Sequence, residues 1–119
     1  MSENGKLCKF WVQDLTRPAF EDWLANEPDP LVIIGIGAIE QHGTHLPLGT
    51  DSLGVREFIH GLASRTNSVC IHPCWAGYSP HHMAFPGSLT FSAETLLSIL
   101  LETIEGFAHH GVKRFVLIN

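Results

Sequence analysis

Glu40, His42, His45 and Asp51 fall within twelve residues of one another, and each can bind a metal or move a proton. They lie in the segment from Gly37 to Asp51 (GAIEQHGTHLPLGTD), which Gly and Pro shape into a loop. Glu40 and His42 are two apart. In extended backbone they point to the same side, roughly 7 Å apart at about 3.3 Å per residue. That spacing serves two neighbouring ions, which dinuclear sites hold about 3.5–4 Å apart. Asp51 returns after the Pro/Gly turn, and a carboxylate can give one oxygen to each of two ions. Mixed imidazole and carboxylate ligation suits zinc or manganese. A plainer reading stands beside this one: Asp51 as the N-cap of a following helix, and Glu40 with His42 as a solvated loop pair.

A second loop, Gly77 to Ser88 (GYSPHHMAFPGS), carries His81 and His82. Adjacent side chains point in different directions, so at most one of the two is expected to face a site. His82 is the candidate acid/base or substrate contact, against the reading of an ordinary loop histidine. Tyr78 and Phe85 either wall a pocket or anchor the loop. Eight His in 119 residues is the compositional oddity. His60, His109 and His110 fall on predicted helices, toward their C-terminal ends, where the helix dipole favours imidazole, and are read as structural or surface residues. His72 ends a strand and is ambiguous.

The elements that must position these loops follow from periodicity. Residues 1 to 16 are expected to be an N-terminal tail, loose over its first nine residues. Thr16 is an N-cap for a short helix with Pro18 in its first turn and Phe20, Trp23 and Leu24 on one face. Leu31 to Ile36 (LVIIGI) is a continuous β-branched run, as expected for a strand covered on both faces. Gly35 and Gly37 thin its end, where something approaches the backbone closely. Val55, Phe58, Ile59 and Leu62 recur at helical spacing between Ser52 and about Arg65. Val69 to Ile71 starts a second strand. Ser92 caps a helix from Ala93 to about His110, predicted to bury Leu96, Leu97, Leu100, Leu101, Ile104 and Ala108, with Gly111 as its stop. Lys113 to Ile118 is a third strand. Strand–helix–strand–helix–strand order predicts an α/β fold with a parallel sheet. Ligands sit outside the carboxyl ends of such strands. Both loops follow strands directly, so both are expected to open onto that edge.

Composition excludes several classes. The net charge is −5 with no basic run, which argues against nucleic acid as a partner. The apolar runs are too short to span a membrane. The polar start, Met1 to Lys9, lacks the apolar core of a signal peptide, and the cytoplasm is the expected compartment. Three Cys (Cys8, Cys70, Cys74) make a disulfide framework improbable.

The Gly37–Asp51 segment resembles the leading motif of the creatininase (creatinine amidohydrolase) family. Tyr78-Ser79 through His82, with Phe85-Pro86-Gly87, resembles its second motif, except that Ser88 stands where the family commonly has Thr. The resemblance covers residues 17 to 119 in element order. It implies a mostly parallel central sheet flanked by helices. It implies two divalent metal ions, zinc foremost, with manganese or iron as alternatives. By resemblance Glu40 binds one ion, His42 the other, and Asp51 bridges both; His45 lies beside the ligands; His82 lines the site, with Tyr78 and Ser79 as further site or substrate contacts. Family members continue past the Asn119 position with a Gly-His-Gly-Gly-Asn-type segment and an acidic residue that supply further ligands. The chain is therefore expected to be cut short after its third strand. The implied activity is metal-dependent hydrolysis of a C–N bond, other than a peptide bond, in a small cyclic or linear amide by a homo-oligomer. The alternative is a non-catalytic product that binds metal or a partner, the latter through its exposed third strand.

Overall fold

Leu31–Gly35 forms β1, whose side chains alternate between two packing layers as a strand's period of two requires. Val32 and Ile34 are buried in one cluster and Ile33 in another. β1 is the centre of a three-stranded sheet, flanked by β2 (Val69–Ile71) and β3 (Arg114–Ile118) in the order β2-β1-β3. Both pairings are parallel, with Ile33 opposite Cys70 on one side and Val116 on the other. The expected parallel α/β architecture is thus present in this computed structural model, which describes residues 5–119.

Three helices connect and cover the strands. α1 (Arg17–Asn26) begins where Thr16 Oγ1 accepts the Ala19 N–H at 3.2 Å. Its Trp23 is fully buried and donates its indole N–H to the Asn67 carbonyl at 2.7 Å. α2 (Thr50–Thr66) packs Val55, Ile59 and Ala63 against Ile33 and Cys70. It starts two residues earlier than the sequence suggests, with Gly49 at the N-cap. Asp51 therefore lies inside the first turn and is not the cap. α3 (Ala93–His109) is capped by Ser92, whose hydroxyl accepts the Thr95 N–H at 3.1 Å. It stops at Gly111, whose φ of 106° lets the Val112 N–H reach back to the Phe107 carbonyl.

Three expectations change. The tail is tied down from residue 5 onward, while residues 1–4 lie outside the described region. Leu7 is buried in the main core and donates its N–H to Asn67 Oδ1 at 2.7 Å, and the Cys70 N–H bonds to the Phe10 carbonyl. Short polar stretches hid this, because Leu7, Phe10, Val12 and Leu15 reach the main core, and Trp11 the second cluster, without any periodic spacing. α3 packs Leu100, Ile104 and Phe107 on that core, while Leu97, Leu101 and Ala108 are exposed. Phe58 is likewise exposed at 61%, so the buried stripe of α2 is narrower than its periodicity implies. Leu117 on β3 is also exposed.

Candidate metal centre

The carboxyl ends of β1 and β2 release the two loops side by side, and α2 holds both. The fully buried Ser52 hydroxyl lies against the Trp75 carbonyl at 2.5 Å and the Ala38 carbonyl at 3.2 Å. Gly37 permits this approach: a Cβ there would lie 2.3 Å from Ser52 Oγ and 2.6 Å from its Cα. The narrowing anticipated at the end of β1 is therefore a backbone contact with α2. The loops also bond to each other. Leu89 N–H donates to the Ile39 carbonyl at 2.8 Å, and Gln41 N–H to Ser88 Oγ at 3.0 Å. Ser88 in place of Thr keeps the acceptor that matters.

This scaffold brings Glu40, His42 and Asp51 together, with one ligand atom of each within 4.8 Å of the others. His42 Nε2 is 3.4 Å from Asp51 Oδ1. Its Nδ1 faces the Glu40 carbonyl at 3.5 Å, a long contact; with the proton on Nδ1, the Nε2 lone pair is available to a cation. Glu40 and Asp51 are in electrostatic contact. The Asp51 carboxyl is pushed up, first by burial and then by Glu40, with His42 opposing. The Glu40 carboxyl is pulled down, first by the neighbouring Ser79 hydroxyl, against burial and with help from Asp51, His82 and His81. Ser79 Oγ is fully buried and has no partner at hydrogen-bonding geometry, so its influence on Glu40 is that of a nearby dipole. Two carboxylates and an imidazole lone pair converging on one point make a donor set that fits a divalent cation. A cation there would also relieve the repulsion between the carboxyls.

Glu40 and Asp51 line a cavity of about 790 Å³ that opens at the carboxyl edge of the sheet, where Ile36 and Ile118 follow or end strands. Tyr78 and Ser79 form part of its wall, and Phe58, the exposed residue of α2, another part. Phe85 does not line it. His45 is exposed and belongs to neither cluster of candidate ligands. His82 Nε2 lies 3.8 Å from Glu40 Oε2. His81, which the sequence set aside, lines the cavity, and its ring lies tilted at 48° to that of His82, with centroids 4.3 Å apart. Glu40, His81 and His82 form a second cluster within 4.8 Å, so Glu40 is common to both. A 3-10 turn at Pro80–His82 produces this: it curls both imidazoles to one side, where extended backbone would send them apart.

Of the remaining histidines, His109 and His110 are exposed at the end of α3, while His60 and His72 pack on aromatic rings. His60 stacks on Trp11 at 5.7 Å, and His72 packs edge-on against Trp75 at 5.5 Å with both ring nitrogens buried. Arg56 lies between those two tryptophans, 4.6 and 4.9 Å from their ring centres. The three cysteines are free.

The creatinine amidohydrolase (creatininase) family profile matches residues 13–119. Among curated proteins, the chain is 33% identical over 90 residues to a 3-dehydro-scyllo-inosose hydrolase of Thermotoga maritima, covering 75% of this chain and 29% of that protein. It is 28% identical to a creatinine amidohydrolase of Pseudomonas putida, covering 92% and 44%. It is 33% identical to a mycofactocin precursor peptide peptidase of Mycolicibacterium smegmatis, covering 76% and 38%. Among solved structures, a manganese creatininase superimposes with a TM-score of 0.86 at 28% identity, covering 93% of this chain and 45% of that one. A Zn-Zn type of a mutant creatininase gives 0.82 at 28% identity, covering 92% and 44%. The chain thus spans less than half the length of these relatives. All three curated relatives are hydrolases by name, and one acts on a peptide, so the relationship supports hydrolysis without excluding peptide bonds.

Proposed function

The chain belongs to the creatininase family, and from that premise we propose that it carries the Glu40, His42 and Asp51 part of a dinuclear metal centre for hydrolysing a C–N bond in a small amide. The observation that carries this reading is the convergence of those three side chains within 4.8 Å, two of them, Glu40 and Asp51, lining the cavity. In it, Glu40 would hold one ion and His42 the other, with Asp51 shared between them. The metals, zinc or manganese, supply an activated water and polarise the carbonyl oxygen when bound.

The chain's own residues do the rest. The first turn of α2 fixes Asp51, and Ser52 locks that turn to both loops. His42 turns its Nε2 toward Asp51 and the ion position. Tyr78 and Phe58 present apolar surface to the substrate. The His81–His82 pair supplies the acid–base group near the leaving nitrogen, for which the sequence put forward His82. Cytoplasmic location and homo-oligomeric assembly belong to the same reading. Among the described residues, no helix is long and apolar enough to cross a membrane.

Asp51→Asn tests the arrangement. Metal content, measured by plasma spectrometry after loading with zinc, should fall for both ions in a full-length family member carrying the substitution. Loss of one ion alone would make Asp51 an ordinary terminal ligand.

A further inference from the structure

His42 and His82 face neighbouring carboxylates, Asp51 and Glu40, yet their Nδ1 atoms have opposite partners. The difference begins at Gln41. Its Oε1 accepts the Gly43 backbone N–H at 3.0 Å, which fixes the orientation of the amide. The Gln41 Nε2 amino group is then the end that faces His82 Nδ1 at 3.2 Å. An amide NH₂ only donates, so His82 Nδ1 must accept. A neutral imidazole carries one N–H, and here it must sit on Nε2. That nitrogen faces Glu40 Oε2 at 3.8 Å.

We propose that Gln41 is a positioning residue that locks His82 as the Nε2–H tautomer, so that His82 presents a proton to Glu40 and His81 is the imidazole of the pair that offers a lone pair to the cavity. The catalytic meaning of this assignment rests on the hydrolytic reading above; the tautomer itself does not. Three consequences follow from the geometry. His82 Nε2 has no lone pair, so the cluster of Glu40, His81 and His82 is not a third metal site despite its 4.8 Å spacing. The Nε2–H instead sets its dipole toward the Glu40 carboxylate from 3.8 Å, the side on which partners of metal ligands commonly stand. His81, which lines the cavity as His82 does not, takes over the acid–base position.

Long-range ¹H–¹⁵N correlation spectra of the histidine rings in the metal-free chain test this. Wild-type His82 is expected to show a pyridine-like Nδ1 and a pyrrole-like Nε2, unchanged in His81→Ala. Gln41→Glu places a carboxylate acceptor where the amino group stood. It is expected to reverse the pattern, with the proton moving to Nδ1. A pyrrole-like Nδ1 in the wild type overturns the proposal, whether or not the variant folds. An unreversed pattern in a folded Gln41→Glu overturns the role of Gln41. Zn²⁺ added to the wild-type sample is expected to shift His42 Nε2 and leave the proton on His82 Nε2. Loss of that proton overturns the lock. A spectrum in which Zn²⁺ moves no ring signal counts against the hydrolytic reading and leaves the tautomer result standing.

Discussion

Replacing Gly77 by Ala should loosen the site by prying its two loops apart. A Cβ at Gly77 would stand 2.2 Å from the Gly37 carbonyl oxygen and 3.3 Å from the Gly37 carbonyl carbon. Ordinary contact begins near 3.4 Å, so the backbones must separate by more than 1 Å. Both neighbours are main chain, and no side-chain rotation can absorb the displacement. Gly77 also accepts the Phe91 N–H at 2.8 Å, and Gly37 is pressed against Ser52, so the strain spreads to the anchor of α2. Overpacking of this kind costs about 1–3 kcal/mol. For a chain of this size that lowers Tm by about 4 °C per kcal/mol. Gly106→Ala is the control, because a Cβ there meets nothing within 4 Å in the middle of α3. It should gain roughly 0.5–1 kcal/mol from helix propensity. Urea unfolding followed by circular dichroism, with the slope checked for constancy, reads both changes. Zinc titration should show weaker binding in Gly77→Ala alone. Wild-type stability and zinc affinity in Gly77→Ala would show that the loops do not pack backbone against backbone.

Leu7→Ala should destabilise the chain by about 2–5 kcal/mol, as expected for a large-to-small change in a packed core; an unfolding midpoint equal to wild type would return residues 5–9 to the status of a loose tail. Burial pushes the Cys70 thiol up to about 12, outweighing Arg56. At pH 8, iodoacetamide followed by peptide mass spectrometry should therefore label the exposed Cys8 well before Cys70, whose labelling should appear only with urea. The 119-residue chain alone should show little metal-dependent turnover of small amides, because a catalytic metal needs about three protein ligands and Glu40, His42 and Asp51 give each of two ions two. Turnover in zinc or manganese comparable to that of full-length relatives would show that other residues complete the site.

The sheet was legible because its strands are short, mostly apolar runs bounded by turn residues. A buried parallel strand such as Leu31–Gly35 has no amphipathic pattern to misread. The caps were legible for the same local reason: Thr16 and Ser92 each bond an N–H three residues on. The helix faces were less so. Periodicity in α3 marks Leu97 and Leu101 as apolar, but it cannot say whether a layer lies against them, and none of the described residues does so closely enough to bury them. The N-terminal segment failed in the opposite sense. Leu7 and Phe10 lack any periodic pattern, and the segment is held by partners far along the chain, Asn67 for Leu7 and Cys70 for Phe10.

At the site, local spacing carried the reasoning as far as Glu40, His42 and Asp51, because all three are fixed by one strand end and one helix start. It failed at the His81–His82 pair, where the assumption of extended backbone sent the rings apart and a 3-10 turn brings them together. It also could not see what Gln41 does. The alternation that paired Glu40 with His42 set Gln41 aside, and its partner is supplied by a loop forty-one residues later. The chemical difference between His42 and His82 is therefore invisible in residue type and sequence position. One Nδ1 faces a carbonyl, which only accepts, and the other faces an amide NH₂, which only donates. That single contrast puts a proton on His82 Nε2 beside Glu40, while on His42 a proton at Nδ1 frees Nε2, beside Asp51, for a cation. The same side chain can thus serve as a ligand in one place and as a ligand's support in the other, and the choice is made by the neighbour at the far side of each ring.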